Sequence, residues 1–584
     1  KPWLLVKPVG TTIWIGPLFV PGKTGCWECL AQRLRPNRPV EMFVEKRKGI
    51  SPAALTPAVS VPSASETGLN IATTEIIKWI VGDRNEALEG TIVTFDTLSL
   101  QTRDHVLVKR PQCPACGERD TYRGDREPEP LVLETCPKTF TADGGHRRIT
   151  PEETLEKYGH HHSPITGAVR QLVKATPDSN GLLHMYSSGH NFSRVGDDLY
   201  FLRQGCRAQS AGKGKTDAQA KASAICEALE RYSGLYQGYE ICRKATYNDL
   251  GNAAIHPNLC MQFSDAQYAN RKEWNAQCKS KLNLVVEPFD DTAEVEWTPV
   301  WSLSEQRFKY LPTAFCYYNY PHYPSACCPA DSNGNAAGNT KEEAIVQGFM
   351  ELVERDSIAL WWYNRIKRPA VDLESFDDPY GVELRDYYRS VDRDLWVLDL
   401  TSDFNIPVFA AISARTDKPA QDIIYAFGAH FDAKIALLRA LTEVNQVLPS
   451  VSGVAPDGSV EYNDWDALAL DWWTQATLES EPYVVPDNTV PAKRYSDYSR
   501  LDSKDLLDDV MTCVNLAKER GMETLILDQT RPDIGLNVVK VIVPGLPHFW
   551  RRLAPGRLYE TPVKLGWLSQ PIPEEKLNPW SIFF

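Results

Sequence analysis

Nowhere in this chain do about 18 apolar residues follow one another, so no membrane-spanning helix is expected. Basic residues are the minority. The 63 Lys and Arg stand against 76 Asp and Glu, a formal net charge of −13, which argues against a nucleic-acid groove as the main surface. That balance still allows a local basic pocket for phosphates. Internal repeats and low-complexity tracts are lacking too. No initiator Met opens the sequence, and Lys1-Pro-Trp-Leu-Leu-Val6 is too short and strand-like for a signal peptide. Residues upstream of Lys1 are therefore expected. Cysteine is not scarce, with 14 in the chain, but most are scattered singly in apolar settings, as Cys226 and Cys513 are. Without an export signal they read as reduced thiols plus one metal site in a cytoplasmic protein.

A chain of 584 residues exceeds one core, so two or more domains are expected. Thr12-Ile-Trp-Ile15 and Thr91-Ile-Val-Thr-Phe95 read as β-branched strands. Between them, Ile71, Ile76, Ile77 and Ile80 recur at helical spacing over 66–81. This gives an α/β domain over 1–121. The charged, Pro- and Gly-containing segment 122–130 reads as a linker, and 131–584 as a domain of long helices and strands.

Two C-x-x-C pairs, Cys26/Cys29 and Cys113/Cys116, each aim two thiolates at one point. Four thiolates suit tetrahedral Zn²⁺ in a closed, structural site that ties the ends of the first domain together. A redox dithiol is the alternative.

Three polar stripes lie on otherwise apolar helices. Glu227 and Glu230 share one face of the first, which follows a loop, Ser210-Ala-Gly-Lys-Gly-Lys-Thr216, with Lys213 and Lys215 as phosphate candidates. That loop fails as a P-loop, because Gln209 stands where the first Gly is needed. In the second, Asn339, Glu343, Gln347, Glu351 and Glu354 form one line along a helix fed by the Gly/Asn-rich loop 333–339, and Arg355 follows. The third holds Arg439, Glu443 and Gln446. A single stripe of this kind is usually a solvated face. Three together, with carboxylates in excess and apolar cover elsewhere, point to an enclosed space and a compensating metal. A Mg²⁺–nucleotide needs that inventory: carboxylates for the metal, and Arg, Lys, Asn and Gln for the phosphates.

The S-x3-E-x2-E-R, N-x3-E-x3-Q-x3-E-x2-E-R and R-x3-E-x2-Q helices resemble the three ATP-binding motifs of the YcaO family, over roughly 131–584. The segment before them, with Pro21-Gly-Lys-Thr-Gly-Cys-Trp-Glu-Cys29, resembles the E1-like partner domain of fused azoline-forming cyclodehydratases, most of all the cyanobactin heterocyclases. The resemblance implies ATP, Mg²⁺ and structural Zn²⁺ as cofactors. It implies that Glu227, Glu230, Glu351 and Glu354 hold Mg²⁺, and that Lys213, Asn339, Glu343, Gln347, Arg355, Arg439 and Glu443 contact ATP or its metals. The activity implied is conversion of Cys to thiazolines in a ribosomal precursor peptide carrying a leader, with conversion of Ser or Thr to oxazolines left open. The substrate thiol attacks the preceding amide, the oxyanion takes the γ-phosphoryl group, and phosphate leaves. Glu351 and Arg439 are the implied catalytic residues, and a homodimer is the implied assembly.

Two departures stand out. The family's fused members begin with a small peptide clamp that binds the leader, and no such segment is seen before Lys1, so leader binding by this stretch is in question. The C-terminus, Pro571-Ile-Pro573…Pro579-Trp-Ser-Ile-Phe-Phe584, keeps the family's proline spacing only in part. Its carboxylate at Phe584 is either a positioned base or an ordinary disordered terminus. Peptide thioamidation and a non-catalytic delivery scaffold remain as alternative functions. His160-His-His162 is read as a loop or surface tract, and Cys226, Cys316, Cys327 and Cys328 as core or loop thiols.

Overall fold

The computed structural model describes all residues except 50–59, 83, 177–180, 191–208, 325, 455–459, 463–466, 502 and 584. The N-terminal part is a four-stranded antiparallel sheet in the order 3–7, 12–19, 91–96, 101–106. Helices α1 (Trp27–Leu34) and α2 (Pro62–Gly82) belong to it. The isoleucines of α2 do not face its core. Ala64, Gly68 and Ala72 pack inward, while Ile77 and Ile80 are exposed. Small residues let α2 lie close on the sheet, so its apolar stripe turns outward.

The expected mix of long helices and sheets is what the chain forms. Its sheets are antiparallel, which is the α+β form of that class. One three-stranded sheet orders 169–174, 184–190, 209–214. A six-stranded sheet runs 243–245, 295–302, 525–528, 537–542, 335–338, with 307–312 paired to 295–302. A second three-stranded sheet orders 393–399, 408–415, 424–429. Besides the short helix α3 (Pro151–Tyr158), the large part is organised by α4 (Asp217–Ser233), α5 (Lys341–Asn364) and α6 (Ala433–Val447). Each of these three follows a strand after a tight turn: 209–214 leads to α4, 335–338 to α5 and 424–429 to α6.

The sequence sets these joints. Thr216, Thr340 and Asp432 cap the helices by accepting from the backbone N–H of Gln219, Glu343 and Lys434. Glycines let two of the helices lie on their strands. A Cβ on Gly212 would fall 2.1 Å from the Ala220 carbonyl of α4, and one on Gly428 2.3 Å from the Ala436 carbonyl of α6. Helix α5 is the centre of the molecule: Ile345, Phe349, Val353, Ile358, Trp361 and Trp362 have no exposed surface.

Two segments differ from the expectation of loops. Residues 209–214 and 335–338 are strands, since each pairs in register with a neighbour that fixes it extended. The tail does not trail into solvent. Asn578 Nδ2 donates to the Trp362 carbonyl (3.1 Å) and the Tyr483 hydroxyl (2.8 Å), and Ile582 and Phe583 are buried. Phe584 lies outside the described residues. Among the described residues no helix is long and apolar enough to cross a membrane.

Candidate functional site

The ends of α4, α5 and α6 enclose a cavity of about 1490 Å³, and all eleven residues expected at the nucleotide and its metals line it. Glu227 and Glu230 enter from α4, and Asn339, Glu343, Gln347, Glu351, Glu354 and Arg355 from the start and face of α5. Arg439 and Glu443 enter from α6, and Lys213 from the strand before α4. The stripes are walls of one space and not solvated helix faces.

Their pairing is less local than the spacing suggests. Arg439 does not pair with Glu443 one turn away. Its Nη2 donates to Gln347 Oε1 (2.6 Å) and the Gly144 carbonyl (3.0 Å), its Nη1 to the Ala429 carbonyl (3.1 Å). Glu443 instead meets Lys213 Nζ at 2.5 Å and accepts from the Phe427 N–H. So α5 and α6 are tied by Arg439–Gln347, and α6 and the strand before α4 by Glu443–Lys213. Glu343 is spent on architecture: its carboxylate accepts from the backbone N–H of Arg148 (2.5 Å) and Asn339 (2.9 Å).

Among the described residues, charge on the cavity walls is close to balanced. Seven carboxyl residues (Asp143, Glu227, Glu230, Glu343, Glu351, Glu354, Glu443) meet six cations (Arg147, Lys213, Arg231, Lys279, Arg355, Arg439). The carboxylate excess expected from sequence is therefore local. Glu227 and Glu230 share Arg231, and Glu351 and Glu354 share Arg355, at 3.0–3.9 Å. Burial, only partly offset by Arg231 and reinforced by Glu227 and Glu351, pushes Glu230 up to about 8. Burial likewise raises Glu354 to about 7 against the pull of Arg355, and raises Glu227. Glu443 goes the other way, because Lys213 outweighs its burial. Glu227, Glu230 and Glu354 lack the positive charge that would offset their burial; a divalent cation would supply it. Asn335 Oδ1, Asn339 Oδ1 and Arg355 Nε on the same walls are buried and have no hydrogen-bond partner among the described residues. The residues thus fit a metal–nucleotide.

Lys215 is not part of this wall. The strand ends at Gly214, and the Lys215 ammonium turns to Asp378 (3.1 Å) and the Tyr380 ring. Sequence reasoning missed the hairpin of strands 140–142 and 145–147, which lays Asp143, Gly144 and Arg147 on the cavity. Its only sequence signal is the Asp-Gly-Gly turn before paired arginines. Cys226 lines the cavity as well, its thiol pushed up to about 12 by burial, so it is a neutral wall residue. Cys316, Cys327 and Cys328 are buried. His161 is no surface residue: it is buried, its Nε2 meets the Ile534 carbonyl at 3.1 Å, and burial lowers it to about 3. The tail brings Phe583 to the cavity wall.

Outside the cavity, Cys26 sits just ahead of α1, Cys29 on it, and Cys113 and Cys116 on the turn after strand 101–106. The four Sγ atoms lie within 4.8 Å of one another, with neighbouring pairs at 3.6, 3.7 and 4.0 Å. A tetrahedral Zn²⁺ with bonds of about 2.3 Å sets its thiolates about 3.8 Å apart, so this set has the shape of such a site.

Fold and cavity define a metal-dependent enzyme that uses a nucleotide. The family model of the YcaO cyclodehydratases, described as ATP- and Mg²⁺-binding, matches residues 211–547. The whole chain superposes on a solved heterocyclase in complex with substrate and cofactor. The TM-score is 0.92 and the identity 50%, with 100% of this chain and 78% of that one covered. The heterocyclase TruD gives a TM-score of 0.79 and 47% identity over 100% of this chain and 75% of that one. An uncharacterised protein of Methanothermobacter thermautotrophicus is 26% identical over 69% of this chain and 95% of its own length. The chain belongs to the YcaO cyclodehydratase family, and it is an ATP-dependent cyclodehydratase of the heterocyclase type.

Proposed function

We propose that this enzyme converts cysteines of a ribosomally made, leader-bearing precursor peptide to thiazolines, as the cyanobactin heterocyclases do. The observation that carries the reading is the convergence of Glu227/Glu230 and Glu351/Glu354, from two helices, on one cavity that also holds Lys213 and Arg439. In it the four carboxylates would hold Mg²⁺, and Lys213, Asn339, Gln347 and Arg439 would orient the phosphates. Bound ATP supplies the phosphoryl group that turns an amide oxygen into a leaving group. Arg231 and Arg355, each beside two acids, aim those carboxylates into the cavity, where a bound metal would add its own charge to theirs. Arg439, fixed by three acceptors, is pre-positioned for charge that develops on transfer. The enclosing walls keep water from competing with the substrate thiol. The attacking thiol is the substrate's, which fits a raised, unreactive Cys226.

With ATP, Mg²⁺ and a leader-bearing Cys peptide, the expected product has lost one water per modified Cys, with ADP and phosphate released. Mass spectrometry checks this, and Ser and Thr variants of the peptide show whether oxazolines form. Unmodified peptide would overturn the reading. Thioamidation and a silent scaffold gain no support from the heterocyclase-like structure.

The same proposal divides the chain at 122–130 into an E1-like unit and a catalytic unit, and places a structural Zn²⁺ on Cys26, Cys29, Cys113 and Cys116. Elemental analysis should find one zinc per chain, lost in Cys116→Ala; a zinc-free, fully folded chain would refute it. A homodimer in a reducing cytoplasm completes the picture. Sedimentation tests the assembly.

A further inference from the structure

Between the Cys-bearing unit and helix α4 of the nucleotide cavity stands a buried carboxylate, Asp533, whose side chain has no exposed surface. It lies on the turn between strands 525–528 and 537–542. From the N-terminal unit, Arg33 on α1, one turn after Cys29, reaches it at 2.5 Å, and Gln112, beside Cys113, at 2.6 Å. From the catalytic unit, Tyr232 on α4 donates its hydroxyl to the same carboxylate at 3.3 Å, and the Arg33 guanidinium lies 4.5 Å from the Tyr232 ring centre. Tyr232 is two residues beyond Glu230.

The turn that carries Asp533 holds both halves of the cavity. Arg531 Nε donates to the Ser233 carbonyl at the end of α4 (2.7 Å). Asn537 Nδ2, where the turn becomes strand, donates to the Asn339 carbonyl at the start of α5 (2.9 Å). A shift of this turn therefore moves Glu230 and Asn339 relative to each other.

We propose that Asp533 is a positioning residue that couples seating of the Cys-stapled unit to the metal–nucleotide cavity, so that the carboxylates of α4 reach binding geometry only when α1 is docked. This rests on the reading of the cavity as the ATP site. Neither Asp533 nor Tyr232 lines the cavity, so their effect on nucleotide affinity is indirect.

The test measures affinity for a non-hydrolysable ATP analogue with Mg²⁺, by calorimetry on the full chain, together with KM for ATP and kcat. Tyr232→Phe keeps the ring and removes one hydroxyl, so the fold survives it. Its affinity should fall about threefold, and KM for ATP rise alike, with kcat at saturating ATP unchanged. Asp533→Asn should weaken binding about tenfold. Glu230→Gln is the control on the cavity itself. If Glu230→Gln weakens binding and Tyr232→Phe does not, the coupling is refuted and Asp533 only glues two units together. If Glu230→Gln also binds normally, the cavity reading falls and the coupling with it.

Discussion

Two groups of buried acids in this protein are built to opposite rules. Asp533 is over-supplied with donors. Burial alone would raise its carboxyl, but Arg33, Gln112 and Arg110 hold it below the usual carboxylate range. Glu227, Glu230, Glu351 and Glu354 share two arginines, and for three of them burial wins: Glu227 is raised, Glu230 rises to about 8 and Glu354 to about 7. Both groups are enclosed, and both lie on the same framework of α4 and its neighbours. The lesson is that burial of an acid says little about its role, whereas its charge balance says a good deal. A satisfied buried carboxylate is a joint. An unsatisfied one, beside unpartnered amide and guanidinium atoms, is a site prepared for a cation.

The sharpest break of this comparison comes from Glu351→Gln. It swaps a carboxylate for an amide of the same shape in the unsatisfied group. Peptide cyclisation should fall about 10³-fold, since a metal-holding charge is lost while the walls stay in place. The variant should unfold at the same temperature as the parent. Retained turnover, read by mass loss of the peptide and ADP release, would remove Glu351 from the metal site.

Smaller in free energy, but opposite in sign between the groups, is the effect on stability. Asp533→Asn leaves Arg33 buried without its counter-ion, which costs about 3 kcal/mol or more. Glu230→Gln removes a buried acid that the metal-free protein keeps partly protonated, and Glu227 remains to pair Arg231. Its unfolding midpoint in denaturant should stay level or rise. If Asp533→Asn were neutral and Glu230→Gln destabilising, the division into joint and site would be the wrong way round.

Much of the site was legible because helical spacing is a local property. Glu343, Gln347 and Glu351 fall on one line whatever they face, and three such lines on apolar helices leave few places to go but one cavity. The class of fold followed from the same periodicities. What escaped was set by tertiary placement. Residues 209–214 and 335–338 read as Gly-rich loops because their strand character comes from partners at 184–190 and 537–542, far along the chain. Arg147 reaches the cavity by way of a short hairpin with little local signature. Lys213 and Lys215 looked equivalent until the strand ended between them. His161 sits in a polar-looking run, yet packs against the carbonyl of Ile534, nearly four hundred positions on. The tail's prolines suggested stiffness, but its place is set by distant partners such as Trp362, Tyr483 and Tyr425.

The finest probe of the comparison is pH. Between about pH 4.5 and 8 the native protein holds protons on Glu230 and Glu354 that the unfolded chain, with its ordinary carboxyls, has released. A state that binds more protons loses ground as they are withdrawn, so these two groups make the metal-free fold less stable as pH rises through that window. Asp533 acts in reverse: its folded carboxyl is held low, so its contribution is complete above the ordinary carboxylate range and fades only in acid. Mg²⁺ with a non-hydrolysable ATP analogue supplies the missing charge to the first group and nothing to the second. Thermal unfolding should therefore show a gap of a few degrees between loaded and unloaded protein that widens from about pH 5.5 to about 8.5. Glu230→Gln should flatten that gap, because the amide has no proton to give up. Asp533→Asn should lower the curves without removing their divergence. A gap that stays constant with pH in the parent would mean that Glu230 and Glu354 are already ionised without metal.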